Sequence, residues 1–214
     1  HKYRKRNPTN VIDEMEWLLN NFDFKAVYFD DDVFNVDRTH VLDICNEIKK
    51  RKIKIPWAVM AKADLMDEEL LESMASAGAY AIKYGIESAN QQILDSCRKN
   101  LDLKKTRQII NLTKKLRIKV HLTFCVGLPG ETKETVRETS GFLRDTQPDS
   151  LQFSFATPFP GTEYFEYLKE KGDLISENWD FFDGSNRSIV KTAELSNNDL
   201  ERIKVDLDNY FNLQ

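Results

Sequence analysis

Residues 77–88 read AGAYAIKYGIES, and this stretch decides the fold. The run from Tyr80 to Tyr84 predicts a strand, because apolar and aromatic residues dominate it. Gly78 ends the helix before it, and Asp67 can cap that helix. Gly85 and Glu87 then follow the strand. The stretch therefore predicts a helix, a strand, and a polar turn at the strand's carboxyl end.

The same unit recurs on both sides of this stretch. Further strands are expected at 26–29, 55–60, 118–126 and 151–155, each followed by an amphipathic helical pattern. Such alternation predicts an α/β fold with a parallel sheet and helices outside, closed into a barrel or open and doubly wound. The first helix, which begins at Asn7-Pro8, has no strand before it. We therefore expect that the first strand of the series is missing.

The composition excludes several classes of protein. The chain has 214 residues, 41% of them hydrophobic and 31% charged, with a net charge of -4, which favours a globular protein over a disordered one. A broad basic surface for nucleic acid is not expected, and no apolar run is long enough to cross a membrane. The widely spaced Cys45, Cys97 and Cys125 predict neither disulfides nor a local zinc site. They favour a cytoplasmic setting, with each cysteine a small buried residue.

Three polar segments follow the first three strands. Asp30–Asp32 place three carboxylates together, which calls for a metal ion, a ligand ammonium or solvent as compensation; the alternative is a solvated helix-capping loop. Lys62 follows the second strand, with Asp64 close by. After the third strand, Glu87 and Ser88 can accept hydrogen bonds from ribose hydroxyls or an amine, or they can cap the next helix.

Two segments with glycine and proline follow the last two strands. Residues 127–131 (GLPGE) offer backbone amides to an anion or a ring edge, or they form a plain tight turn. They match neither the dinucleotide-binding nor the phosphate-loop pattern. Residues 158–162 (PFPGT) can wall a planar ring or serve as a structural turn. His40, expected at the surface, and His121, expected in the core or a cavity wall, are too isolated to be metal ligands.

Together these segments resemble the radical S-adenosylmethionine (SAM) superfamily, in the branch whose members often carry a cobalamin-binding domain upstream. The resemblance covers about residues 8–170 and implies a partial TIM-type (β/α)6 barrel. It divides the chain into a barrel over residues 1–171 and an extension over 172–214 that packs on it. The matching fragments are VYFDDDVF at 27–34, AKAD at 61–64, AGAYAIKYGIES at 77–88, VGLPGET at 126–132 and TPFPGTEYF at 157–165.

The resemblance also implies a set of cofactor-binding residues. Asp31 and Asp32 lie where the family holds the methionine amine, although the glycines usual there are absent, and Lys62 belongs to the same set. Glu87 and Ser88 lie where relatives contact methionine or ribose. The adenine side is implied to be lined by Gly127, Pro129, Gly130, Glu131, Pro158, Phe159 and Pro160.

One departure from the family is decisive. Relatives hold a [4Fe–4S] cluster with a C-x-x-x-C-x-x-C loop, and this sequence has none. We therefore expect the cluster cysteines upstream of His1, no cofactor bound to this chain, and no activity from it. The parent protein is expected to use SAM, the cluster and an external electron donor, with cobalamin as a candidate upstream. The open sheet edge can let copies dimerise.

Two other functions remain open at the level of the sequence. One is a metal-dependent α/β-barrel enzyme with a divalent ion on Asp30–Asp32. The other is a binding module that kept the barrel and lost the chemistry. The small-molecule substrate is unknown in every case.

Overall fold

The computed structural model describes residues 3–212, with side chains for residues 3–209. Its strands are β1 (Val27–Phe29), β2 (Trp57–Ala61), β3 (Ala79–Glu87), β4 (Lys119–Val126) and β5 (Ser150–Phe155). Its helices are α1 (Pro8–Asn21), α2 (Arg38–Lys50), α3 (Glu68–Ser76), α4 (Gln91–Ser96), α5 (Leu103–Lys115), α6 (Lys133–Thr146), α7 (Glu163–Lys171) and α8 (Asn197–Asn212).

The five strands form one parallel sheet in the order β1-β2-β3-β4-β5, with helices alternating between them. Tyr28 pairs with Ala58, and Val59 pairs with Ile82. This arrangement confirms the predicted α/β fold. The expectation of a missing first strand stays a prediction, as does the division of the chain at residue 171.

One strand boundary differs from the prediction in a way that matters for function. The sequence predicts that the third strand ends at Tyr84, because Gly85 looks like the start of a turn. In the structure β3 continues through Gly85 to Glu87. Glu87 is therefore a strand residue, and the turn begins after it.

Residues 3–84 and Lys104–His121 form one compact unit of the chain. Its core contains fully buried Trp57, whose indole N–H donates to the Ala77 carbonyl at 2.8 Å and whose ring packs against Phe29 and Phe34. The prediction that His40 lies at the surface is wrong, since it is only 7% exposed. His40 lies one helical turn before Ile44, so it shares the buried face of α2.

Gly85–Leu103 and residues 122–212 form the second unit. Phe124 contacts both Phe142 and Phe153, and α8 packs against β5. The tail joins this unit through a hydrogen bond from the Phe155 N–H to the Gly184 carbonyl at 2.7 Å. Ser196 caps α8 as predicted, accepting from the Asp199 N–H. No helix among the described residues has the length and apolar character needed to span a membrane.

A buried carboxylate closes the loop after β4. Glu131 is 5% exposed, and its Oε2 accepts from the Gly127 N–H at 2.6 Å. The Thr192 hydroxyl donates to the backbone carbonyl of Glu131 at 2.9 Å. Burial raises the pKa of Glu131 to about 7, partly opposed by the hydrogen bond from Gly127. Glu131 therefore stabilises the loop, with a carboxyl group whose charged form is disfavoured by desolvation.

This environment predicts a specific pH dependence of stability. Because the pKa of Glu131 is higher in the folded state than its ordinary value near 4.5, its favourable contribution is complete below that value and is lost as pH rises through about 7. Glu131→Gln stays neutral and can still accept from Gly127. The free energy of unfolding of the wild type should therefore fall relative to that of the variant by up to about 3 kcal/mol between pH 4.5 and 7.5.

Urea unfolding at a series of pH values measures this difference. The control is Glu170→Gln, which replaces an exposed carboxylate of α7. A difference between wild type and Glu131→Gln that does not change with pH would contradict the prediction.

Candidate functional site

The most organised polar group of the second unit surrounds Glu87, the last residue of β3. Lys99 Nζ lies 2.6 Å from Glu87 Oε1, and the Cys125 thiol donates to Glu87 Oε2 at 3.3 Å. Both charged side chains are about a quarter exposed. Glu87 has φ +68, in the left-handed region that costs a residue with a side chain about 1–3 kcal/mol. Its carboxylate is thus held in one orientation by two donors and a strained backbone.

Gly85 makes room for this ion pair. A Cβ at Gly85 would lie 2.8 Å from Glu87 Oε1 and 3.3 Å from Lys99 Nζ. The first distance is shorter than a normal contact, so any larger residue would displace the pair. Gly85 is therefore needed for close approach rather than for a positive φ.

Backbone turns bring Lys99 to the carboxylate. The chain leaves α4 through Arg98 and passes Asn100, both with left-handed φ values of +54 and +51. The Lys99 N–H donates to the Leu94 carbonyl at 3.0 Å. Lys99 thus lies at the centre of a tight reversal that turns its side chain back toward β3.

Cys125 is a neutral hydrogen-bond donor. Burial raises the pKa of its thiol, and the neighbouring Glu87 carboxylate raises it further. The thiol therefore stays protonated near neutral pH. Since the thiolate is the nucleophile and the metal ligand, Cys125 can orient Glu87 but is unsuited to either of those roles.

A small cavity of about 390 Å³, the narrow cavity, adjoins this cluster at Cys125. Its walls are mostly apolar, with the rings of Phe159 and Phe182 among them. The other lining residues are Leu128, Phe155, Ala156, Thr157, Tyr164, Asp183 and Gly184. Its size and lining suit one planar ring system with a few polar edges.

A larger cavity of about 790 Å³, the wide cavity, belongs to the same unit. It shares Leu128 and Tyr164 with the narrow cavity, so these two residues separate the two spaces. Its remaining lining comes from Ser96, Cys97, Arg98, Pro129, Thr162, Glu163 and Tyr167.

The other predicted residues of this unit differ in their exposure and in whether they line a cavity. Pro129 and Phe159 line the cavities, and a Cβ at Gly130 would meet no atom within 4 Å. Pro158 is buried and Pro160 half-buried. Ser88 is buried, and its hydroxyl accepts from the Asn90 N–H at 3.2 Å. Contact of these residues with a ligand stays a prediction.

In the first unit, Asp30, Asp31 and Asp32 are exposed after β1. Lys62 Nζ pairs with Asp64 Oδ2 at 3.2 Å. The side-chain amide of the buried Asn35 donates to the Lys62 carbonyl and accepts from the Lys62 N–H, both at 2.9 Å. No three His, Cys, Asp or Glu side chains in the described part of the chain are grouped to hold a metal ion. The geometry thus gives a divalent ion on Asp30–Asp32 no support.

The cysteines do not fit an iron–sulfur cluster either. Cys45 is buried in α2, where desolvation raises its thiol pKa to about 11, and Cys125 is held protonated. Cys97 is exposed and Cys125 only partly buried, so the expectation of three buried cysteines is wrong for both. Cys97 is exposed because α4 ends at Ser96, and the backbone turns away at Arg98, which has a left-handed conformation.

Sequence reasoning missed Lys99, Cys125, Tyr164 and Asn35. The positive charge near Glu87 was visible in the sequence, but the reversal around Lys99 was not. Nothing in the pattern of β4 separates Cys125 from an ordinary apolar residue. Tyr164 belongs to the fragment TPFPGTEYF, and only the structure makes it the wall of two cavities.

Comparison with known proteins gives the family. Residues 1–143 match the profile of the Radical SAM superfamily. Over 83% of its length the chain is 29% identical to an uncharacterized methyltransferase of Pyrococcus horikoshii. Over 84% it is 31% identical to the anaerobic magnesium-protoporphyrin IX monomethyl ester cyclase of Rubrivivax gelatinosus. Over 82% it is 30% identical to the cytidylyl-2-hydroxyethylphosphonate methyltransferase of Streptomyces wedmorensis. The chain spans 39%, 33% and 34% of these curated relatives, respectively.

Solved structures agree on the fold. The radical SAM methyltransferase TsrM of Kitasatospora setae, with cobalamin and a [4Fe–4S] cluster bound, superposes with a TM-score of 0.71 at 21% identity, over 92% of this chain and 40% of that one. Coproporphyrinogen III oxidase of Escherichia coli, also a radical SAM enzyme, gives 0.65 at 11% identity, over 100% and 48%. The predicted partial-barrel fold class is confirmed, and the chain belongs to the Radical SAM superfamily.

Proposed function

We propose that the protein to which this chain belongs reductively cleaves SAM to a 5′-deoxyadenosyl radical, for methylation, methylthiolation or ring formation on a small molecule. One observation carries the proposal: a carboxylate–ammonium pair, Glu87 and Lys99, held beside a narrow apolar cavity. The methyltransferases and the cyclase among the relatives support the range of reactions.

The pair is complementary to the amino-acid end of SAM. The methionine moiety carries one ammonium and one carboxylate, and Glu87 and Lys99 offer the opposite charge to each. A carboxylate has about four acceptor positions, so Glu87 can accept from a ligand while Lys99 and Cys125 hold it. Such charge-assisted hydrogen bonds are the stronger kind.

The narrow cavity suits the adenine. Cys125 contacts Glu87 and also lines this cavity, so a single ligand can extend from the ion pair into it. The rings of Phe159 and Phe182 offer aromatic faces for stacking. We keep Asp31, Asp32, Lys62, Ser88 and the residues of the GLPGE and PFPGT segments as proposed SAM contacts, on the strength of the resemblance.

The electron for the cleavage requires a [4Fe–4S] cluster, and the cysteines of this chain do not fit one. We therefore assign no step of the cleavage to them. The proposal takes the cluster thiolates from outside this chain, the electron from an external donor, and a cobalamin from a further domain. We also propose that the protein is cytoplasmic and has no nucleic-acid partner. Two copies of it can pair at the open edge of the sheet.

The ion pair and the narrow cavity both lie within this chain, so the proposal replaces the expectation of no bound cofactor with weak SAM binding in the absence of the cluster. Replacing the proposed ammonium acceptor should weaken that binding further. Glu87→Gln removes the charge but keeps the shape, so the dissociation constant of SAM for this chain should rise about 10-fold or more, as for a lost hydrogen bond to a charged group. Calorimetric titration of the folded chain measures it, and Glu134→Gln, an exposed carboxylate on α6, is the control. Equal affinity of Glu87→Gln and wild type, or no SAM binding by the wild type, would contradict the proposal.

Space at Gly85 gives an independent test. Gly85→Ala places a methyl group where the ion pair lies, so we expect SAM affinity to fall severalfold while the chain stays folded. The matched control is Gly141→Ala, whose added Cβ would meet only the flexible end of Arg144 at 3.7 Å. Titration and thermal unfolding report the two effects separately, and unchanged affinity in Gly85→Ala would count against the proposed site.

The cluster is tested by anaerobic reconstitution of this chain with iron and sulfide. Because Cys45 is buried and Cys125 is kept protonated, iron and sulfide should stay far below one cluster per chain. A variant with all three cysteines replaced by alanine should bind the same small amount. About four iron and four sulfide per chain, lost in that variant, would refute the assignment of the thiolates elsewhere.

A further inference from the structure

Most residues that line the wide cavity lie outside the proposed SAM contacts, which reach it only at Leu128, Pro129 and Thr162. Its volume of about 790 Å³ falls within the ordinary range for small-molecule sites, about 300–1,000 Å³. Because it meets the narrow cavity at Leu128 and Tyr164, a ligand in it would lie next to the proposed nucleoside site.

The walls of the wide cavity favour a flat, apolar ligand. Tyr164 and Tyr167 lie three positions apart on α7, so both side chains project from the same face of the helix. Leu128 and Pro129 supply further apolar wall. Tyr164 is mostly buried, and its hydroxyl reaches the Gly127 carbonyl only at 3.5 Å, so little but packing holds it as a partition.

One cation and one anion line the wide cavity, and the cation is available to a ligand. The Arg98 guanidinium lies 3.7 Å from the Glu163 carboxylate, and both side chains are more than four-fifths exposed. An exposed pair at this distance contributes little and exchanges readily. A guanidinium can instead bind a ligand carboxylate through two parallel hydrogen bonds.

We propose that the wide cavity binds the acceptor substrate and that this substrate is a planar aromatic compound carrying a carboxylate. Its ring lies against Tyr164 and Tyr167, and its carboxylate pairs with Arg98. The inference rests on the proposed function, because an acceptor must lie beside the nucleoside that activates it. Tyr164 would then set the boundary between the two ligands.

Cys97 provides a reporter inside the wide cavity. It is exposed and lines the cavity, whereas Cys45 is buried and the thiol pKa of Cys125 is raised. Iodoacetamide should therefore modify Cys97 first, and peptide mass spectrometry gives the rate at each cysteine. With indole-3-acetate as the probe, we expect saturable, severalfold protection of Cys97 on the intact 214-residue chain.

Two variants and a neutral probe identify the contacts. Arg98→Gln should raise the indole-3-acetate concentration for half-protection about 10-fold, the cost of losing a charge-assisted pair. Protection by the weaker, neutral 3-methylindole should be the same in Arg98→Gln and wild type. Tyr167→Leu should weaken protection by both probes, and Arg137→Gln, on the exposed face of α6, should change neither.

Further outcomes separate this inference from the proposed function. No protection by millimolar indole-3-acetate, with SAM binding intact, overturns the inference alone. So does competition between S-adenosylhomocysteine and the probe, which would make the wide cavity part of the nucleoside site. If Arg98→Gln weakens protection of Cys97 by both probes equally, the assigned carboxylate contact is overturned. Protection without SAM binding would refute the proposed function, and with it the role of the cavity as an acceptor site.

Discussion

The Glu87 carboxylate, held over Gly85 by Lys99 and Cys125, is the interaction on which the organisation of the second unit depends. It needs three things at once: a strand that continues past Gly85, a left-handed backbone at Glu87, and a tight reversal that returns Lys99. None of these stabilises the chain alone, and a strained residue persists only where its surroundings hold it. The ion pair supplies that hold and leaves a charged group at the carboxyl end of a parallel strand.

A second carboxylate in the same unit, that of Glu131, has a different role because its environment differs from that of Glu87. Glu131 has no cationic partner in the loop it closes, so burial shifts its pKa toward neutrality and makes it a structural group. Glu87, with an ammonium at 2.6 Å, keeps the character of a binding group. Glu87 ends β3 and Glu131 follows β4, and both stood among the predicted cofactor contacts. Their surroundings give Glu131 a structural role in its loop and leave Glu87 charged and partly exposed beside a cation.

The family relationship and the local chemistry complement each other. Membership in the Radical SAM superfamily accounts for the parallel sheet with its alternating helices. It does not by itself account for the environments of the cysteines, since burial raises the thiol pKa of both Cys45 and Cys125. The two adjoining cavities are consistent with a protein that brings a nucleoside and an acceptor together.

The amino-acid sequence by itself determined the alternation of strands and helices, the parallel sheet, and the polar segments that follow each strand. These depend on local periodicity and on glycine and proline, which act over a few residues. Only the tertiary structure decided that β3 runs on to Glu87 and that His40 is buried. It also decided that Lys99 and Cys125 contact Glu87 and that Tyr164 lines both cavities. Each of these depends on contacts between residues distant in the chain, such as Cys125 with Glu87, and periodicity carries no information about such distances.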